Sequence, residues 1–381
     1  MKHVHGKKNR RLLILTGVLS VVMPALGGCD SFPMPASAAG EADTAHSLSI
    51  ATWNIQALFD GDENGAEYDE YLNSAGWSEE KYAARLTSLS QAIGKMDEGA
   101  PDIVALQELE NGAILEELAK GPLAKQGYKQ TFFANNPGAS LGIGVLSRVP
   151  FAQTKAHSVT YNGETSPRPV LELWLQPEDR PLALFICHWK SKLGGDSVTE
   201  TLRRASARVI LRRLQEIERD HPDMPVIIMG DLNENYDEFY RQAGTAVSAL
   251  LPDDPRAAEL AGSEGTGAAR AAADYLILSR QKPPRAEYFA PPAIILYSPW
   301  GNELQRGSYS YKNEWETIDH FLLTGALFDN RGWEFGACRV LSQPPFTNTN
   351  GYPDAYNPRT GHGLSDHLPL LLSLDYANRQ L

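Results

Sequence analysis

Six short apolar runs, each carrying polar residues at or near one end, constrain this chain more than any other feature. Leu48 to Trp53 is followed by Asn54 and Gln56, and Ile103 to Leu106 by Gln107 and Glu108. Leu184 to Cys187 ends in His188, and Val226 to Gly230 leads to Asp231 and Asn233. Asp319 and His320 stand inside the apolar stretch 317–323, while Ser365, Asp366 and His367 open the last run. Runs this short read as strands, and continuous ones as strands covered on both faces. Polar residues gathered at strand ends are where layered α/β proteins build sites, because a rigid sheet fixes the loops that follow.

Helical patterns alternate with these runs. Tyr82, Leu86, Leu89, Ile93 and Met96 recur at helical spacing over 79–97, with Ser78 as N-cap and Gly99 and Pro101 as stops. Further helices are predicted near 111–120 and 199–220, and further strands at 144–147, 170–175, 182–188, 226–230, 317–323 and 367–374. Runs 170–175 and 182–188 are close enough to form a hairpin. The mixture predicts an α/β (α+β) fold of mixed sheets with outer helices. The Ala-, Gly- and Pro-rich stretch 241–300 breaks the rhythm and reads as inserted loops and short helices.

The N-terminus follows different rules. Lys2, Lys7, Lys8, Arg10 and Arg11 precede an apolar run from Leu12 to Leu26 that closes in Leu26-Gly27-Gly28-Cys29. The run falls short of a bilayer span of ~20 residues. A basic start, a short apolar core and small residues form an export signal. The tetrapeptide resembles a bacterial lipobox, which makes Cys29 the lipidated mature N-terminus. The chain therefore divides into a lipoprotein signal peptide (1–28), a flexible tether (29–47) and one domain (48–376). The protein is expected to be exported and held at the bacterial membrane or envelope by its lipid. Removing residues 1–28 takes away five basic and no acidic side chains, so a net charge of −12 becomes −17. That argues against a broad basic nucleic-acid surface. Three cysteines are too few for a disulfide scaffold.

Seven motifs carry a resemblance. WNIQ (53–56), QE (107–108), LSR (146–148), HWKSK (188–192), GDLNE (230–234), IDHFLL (318–323) and SDHLP (365–369) stand in the order of the endonuclease/exonuclease/phosphatase superfamily, which has the DNase-I-like fold. The resemblance implies a four-layer sandwich of two mixed β-sheets flanked by helices. It implies that Glu108, Asn54 and Asp366 form a metal site for Mg²⁺ or Mn²⁺. A hard ion suits carboxylate, amide oxygen and water. It implies a catalytic set of His188, Asp231, Asn233, Asp319 and His367. Asp319 would fix the tautomer of His367, leaving the other ring nitrogen to take a proton from water. Some relatives have an aspartate where this chain has Gln56, so one ion is expected rather than two.

Lys190 and Lys192 alternate after His188 and resemble an HxKSK signature of exported nucleases. With Arg168 they are candidate substrate contacts. Arg203, Arg204, Arg208, Arg212 and Arg213 read as a solvated helix face. Tyr309, Tyr311 and Trp315 read as hairpin packing, with base stacking as the alternative. His320 reads as structural, facing away from Asp319. Cys187 reads as a small buried hydrophobe, and a bond between Cys187 and Cys338 is left open. The expected activity is Mg²⁺-dependent phosphodiester hydrolysis, with nucleic acid as substrate and no obligate protein partner. The alternative substrates are a phospholipid or a sugar or inositol phosphate. A non-catalytic binding module is disfavoured, because every expected catalytic position holds a competent residue.

Overall fold

The computed structural model describes residues 47–177, 181–263, 274–289, 291 and 293–377. The expected signal peptide, Cys29 and all of the tether but residue 47 lie outside the described residues.

Two sheets form, and strict alternation along their strands sorts the side chains into layers. The first sheet runs, in spatial order, Gly332–Val340, Leu370–Ala377, Ser47–Leu58, Ile103–Leu109, Gly142–Ser147 and Gln130–Ala134. The second runs Leu250–Pro252, Leu276–Ser279, Ile295–Tyr297, Asp319–Leu323, Val226–Asp231, Leu182–His188, Val170–Leu175 and Phe151–His157. Ile50, Ile103, Ala105 and Leu372 of the first sheet pack against Leu184, Ile186, Ile227, Met229 and Phe321 of the second. Each large apolar side chain in that layer contributes ~1.5–3 kcal/mol through area removed from water. The alternate residues face outward. Trp53, Ile55, Val104 and Leu106 meet the helices Glu79–Ile93 and Gly112–Lys120. Phe185, Ile228 and Leu322 meet the helix Asp196–Asp220. The result is two mixed β-sheets flanked by helices, the expected fold class.

The first helix starts where its cap signal predicts. The Ser78 side chain accepts the Lys81 N–H at 3.4 Å. Asn111 caps Gly112–Lys120 in the same way. The predicted strands at 170–175 and 182–188 match Val170–Leu175 and Leu182–His188, which pair antiparallel.

Three expectations need correction. The stretch 241–300 is not merely loops and short helices: Leu250–Pro252, Leu276–Ser279 and Ile295–Tyr297 extend the edge of the second sheet. Each of these strands is only three or four residues long, too short for a periodicity to register. The last strand begins at Leu370 rather than 367. The arginines are not simply a solvated face. Arg203 is fully buried, ion-paired to Asp196, Glu200 and Glu234, and Arg208 pairs with Asp274. Cys187 and Cys338 are not bonded: both are buried free thiols, Cys187 in the outer layer and Cys338 between the sheets. His320 does face away from Asp319, with Nε2 2.8 Å from the Glu234 carbonyl oxygen.

Arg213 shows what the long helix gains. Glu172 points to the helix side of the second sheet and receives Arg213 (2.8 and 2.9 Å) and the Trp174 indole N–H (2.7 Å), with His157 Nε2 at 2.5 Å. Burial pushes its carboxyl up, but these partners outweigh burial and hold it down at about 2. A carboxylate whose folded pKa is depressed stabilises the fold fully above its unfolded value and loses that contribution as pH falls through the folded value. Glu172→Gln is expected to lose up to about 3 kcal/mol at neutral pH. The gap to the unmodified protein in thermal unfolding should close between about pH 4.5 and about pH 2.

Candidate active site

The candidate site lies one rung beyond the last apolar rung of the inner layer. Leu184 and Ile186 face inward, so His188 does too; Ile227 and Met229 put Asp231 there, and Phe321 and Leu323 put Asp319 there. Register completes the rung, since Asp231 lies opposite His188 on one neighbouring strand and opposite Asp319 on the other. Gly230 makes this approach feasible. Its φ is +122°, and a Cβ there would sit 2.1 Å from the Cys187 carbonyl oxygen. In the first sheet the inward series Leu48, Ile50 ends at Asn54.

Glu108 breaks the rule. Alternation after Val104 and Leu106 would send it outward to the helices. A bulge between Gln107 and Leu109 and a φ of +71° at Glu108 turn it toward the site. A matching irregularity between Asn54 and Leu58 puts Gln56 (φ +55°) and Ala57 (φ +48°) in the left-handed region. Such backbone costs ~1–3 kcal/mol per residue and persists only where surroundings enforce it. Here the Ala57 N–H donates to Glu108 Oε2 at 2.8 Å.

A cleft of about 520 Å³ collects most of the expected residues: Asn54, Glu108, Arg168, His188, Lys192, Asp231, Asn233, Asp366 and His367 line it. Asp319 lies behind it. His367 Nδ1 is 2.8 Å from Asp319 Oδ2, which also accepts the Ser308 hydroxyl at 2.7 Å. Trp53 donates its indole N–H to the His367 carbonyl at 2.9 Å. Tyr309 lies against the imidazole, ring centroids 4.7 Å apart. Burial disfavours charge on the His367 ring. The Asp319 carboxylate, with Asp231 and Asp366 beyond it, outweighs burial and raises its pKa well above the usual histidine value. His188 is the opposite case. Burial, and then the charges of Arg168, His367 and Lys190, push its pKa well below the usual value. Its Nε2 lies 3.6 Å from both Glu108 and Asp231.

Asn54 differs from expectation. Its Oδ1, the atom expected on a metal, accepts the Gln56 N–H at 3.0 Å. Its Nδ2 instead bridges Glu108 Oε1 (3.1 Å) and Asp231 Oδ2 (3.0 Å). Asn54 thus ties the two sheets together at the site floor. Asn233, at φ +50°, donates its backbone N–H to Asp231 Oδ1 (2.9 Å) and its side-chain amide to the Trp189 carbonyl (3.1 Å). Arg168 donates to the same carbonyl.

The two lysines do not act alike. Lys192 lines the cleft but pairs with the buried Glu238 at 2.6 Å. Lys190 is not among the lining residues and lies 3.4 Å from the Ser191 hydroxyl. The sequence reading took both as free to contact substrate; the partner that decides otherwise for Lys192 is 46 residues away. Tyr309 and Tyr311 do form a hairpin strand, paired with Glu314–Glu316, and both line the cleft. Ser308 and Glu316 were not singled out as site residues, and nothing local in the sequence marks them.

The donor set fits a hard divalent cation. Burial pushes the Asp231 carboxyl up to about 7, and the nearby Asp319 charge adds to this against the pull of His367. Burial and Glu108 raise Asp366. Glu108, Asp231 and Asp366 thus crowd one cleft with Asp319 behind it, and the charge of His367 offsets theirs only in part. Asp231, Asp319 and His367 could bring one ligand atom each within 4.8 Å of one another. His367 Nδ1 and Asp319 Oδ2 are already engaged with each other there. Glu108 and Asp366, which both line the open cleft, are the better oxygen donors.

Residues 49–255 match the family described as Endonuclease/Exonuclease/phosphatase. The chain belongs to this family. It is therefore a hydrolase of phosphoester bonds, in a family whose members are typically dependent on a divalent metal. In structure this family member is similar to humanized D. rerio TDP2 carrying 14 mutations, at 16% identity over 86% of this chain and 98% of that one (TM-score 0.48). It is also similar to an endonuclease/exonuclease/phosphatase family protein from Bacteroides thetaiotaomicron, at 14% identity over 87% and 99% (TM-score 0.48). The human Nocturnin catalytic domain with bound sulfate shows 16% identity over 87% and 94% (TM-score 0.48). No curated protein matches the sequence.

Proposed function

We propose that this chain is an exported, lipid-anchored phosphodiesterase that uses one Mg²⁺ or Mn²⁺ ion and hydrolyses nucleic acid. The single observation that carries the reading is the convergence around one cleft of three groups. They are Glu108 from the first sheet, the rung His188, Asp231 and Asp319 from the second, and Asp366 and His367 from the segment before Leu370. Asp319 holds Nδ1 of His367, and a bound cation offsetting the acidic charge that raises the ring's pKa would free Nε2 to take the proton of an attacking water. Asp231 and Asn233 orient that water and the phosphate, and His188 stands where charge on a phosphoryl oxygen would be stabilised. When bound by Glu108 and Asp366, the cation supplies neutralisation of phosphoryl charge. Arg168 is the cationic group at hand for a neighbouring phosphate, and Lys192 joins it only by leaving Glu238. The basic, apolar and small-residue order of residues 2–29 supports export and lipidation at Cys29.

One observation favours a second substrate class. Leu193 is 84% exposed and Tyr311 53% exposed, and both line the cleft. An apolar rim of this kind suits a phospholipid, and the anchor would keep the enzyme near one.

A side-by-side assay tests the reading. Mg²⁺-dependent release of fragments from DNA or RNA, abolished by EDTA and weakening from low to physiological salt, is the expected result. The slope should be shallow, because few cations face the cleft. Release of phosphate or headgroup from lipid without any nucleic-acid cleavage would favour the second class. Fractionation of the same cells should find the protein with membranes, and Cys29→Ala should release it or leave it unprocessed.

A further inference from the structure

Arg85 is a buried arginine that the proposed chemistry does not use. It lies midway along the helix Glu79–Ile93, is 3% exposed, and has no ion-pair partner among the described residues. An arginine of this kind is costly to bury, so its contacts need an explanation. Its Nη2 donates to two consecutive carbonyls, Ile55 at 2.5 Å and Gln56 at 2.7 Å. The guanidinium carbon lies 3.5 Å from the centroid of the Tyr356 ring. Nε and Nη1 are buried without partners.

Those two carbonyls belong to the left-handed kink that turns the strand Ser47–Leu58 out of register. The kink does two things for the acidic pair. It presents the Ala57 N–H to Glu108 Oε2 (2.8 Å). It also places the Gln56 amide between Tyr356 and Asp366: Gln56 Oε1 accepts the N–H groups of Tyr356 (2.7 Å) and Asp366 (3.0 Å), and Nε2 donates to the Tyr356 carbonyl (3.2 Å). Without Arg85 the carbonyls of Ile55 and Gln56 would be left in an apolar layer without this donor. The backbone would relax toward regular extended geometry, and with it the supports of Glu108 and Asp366.

We infer that Arg85 is a positioning residue: through the Gln56–Ala57 kink it holds in place the groups that support Glu108 and Asp366, the acidic pair that would bind a divalent cation. This rests on the cation reading proposed above. It also explains Gln56, which stands where some relatives carry an acid. Gln56 serves here as a clamp between the strand and the 356–366 segment.

The test measures Mn²⁺ binding by calorimetry without substrate, on the full domain. Arg85→Met should weaken binding at least ~10-fold, the lower end for losing a partner that orients a ligand. Arg85→Lys keeps the charge but not the planar guanidinium that lies over Tyr356 while Nη2 reaches both carbonyls, so it should restore little. Gln56→Ala should weaken binding similarly. Leu86→Ala, a core truncation on the same helix, should destabilise the fold and leave binding unchanged. If Arg85→Met does not fold, Arg85→Lys and Gln56→Ala decide the question. Binding by folded Arg85 variants within twofold of the unmodified protein, or equal weakening by Leu86→Ala, would overturn the inference alone. No Mn²⁺ binding by the unmodified protein would overturn the cation reading as well.

Discussion

His367→Ala is expected to lower turnover by about 10²–10⁴-fold, the range for removing a general base. The loss should appear on every substrate, including a small chromogenic phosphodiester, because it acts on the attacking water and not on binding. The fold should survive. The ring is buried, but its contacts are one carboxylate and one aromatic face, and the backbone contacts of residue 367 to Tyr309 and Trp53 survive the substitution. Asp319→Asn tests the same pair from the other side. An amide cannot balance charge on the ring, so activity should fall while circular dichroism stays unchanged. Ser308 supports this residue through its hydroxyl, so some cost in melting temperature is expected. Full activity in purified His367→Ala would refute the assignment.

Glu108→Gln should separate activity from stability. Loss of the charged donor is expected to reduce turnover by about 10²–10³-fold, comparable to removing one preorganised charge-stabilising contact. The neutral side chain keeps an oxygen for the Ala57 N–H, loses the acceptor for the Asn54 amide and removes one negative charge from a crowded cleft. The cation-free variant should therefore melt close to the unmodified protein. The unmodified protein should gain about 2.7 kcal/mol of stability at a cation concentration 100 times its Kd, and the variant should gain little. Calorimetry with and without Mg²⁺ checks both halves. A cation-induced stabilisation that persists in Glu108→Gln would place the ion elsewhere, with Asp231, Asp319 and His367 the next candidate group. EDTA should mimic the variant in the unmodified protein, reversibly.

Much of the site was legible because it follows from alternation. His188, Asp231 and Asp319 each continue an inward-facing apolar series, so their shared face can be read from three separate strands. Ser78 was equally local, since a cap acts on the next few N–H groups. Lys192 was misread because a lysine's freedom depends on what stands opposite. Here it is Glu238, supplied by another element. Arg203 was misread for the same reason: helical spacing cannot show that Glu234 meets it from the GDLNE turn.

Sequence alone determined mixed sheets with outer helices and the polar residues at the ends of apolar runs, and its seven motifs carried the resemblance to the family. The first two are properties of short runs, where each residue's face is set by its neighbours. Only the tertiary structure decided how Glu108 is aimed. By alternation it belongs to the helix side. It reaches the cleft because two bulged strands lie side by side and Ala57 donates to it. Gln56 meets Tyr356 and Asp366 across 300 and 310 residues of chain. Asn54 turns its nitrogen, not its oxygen, to the acids because Asp231 arrives from the other sheet. Contacts of that separation carry no local periodicity, so they exist only once the two sheets have packed.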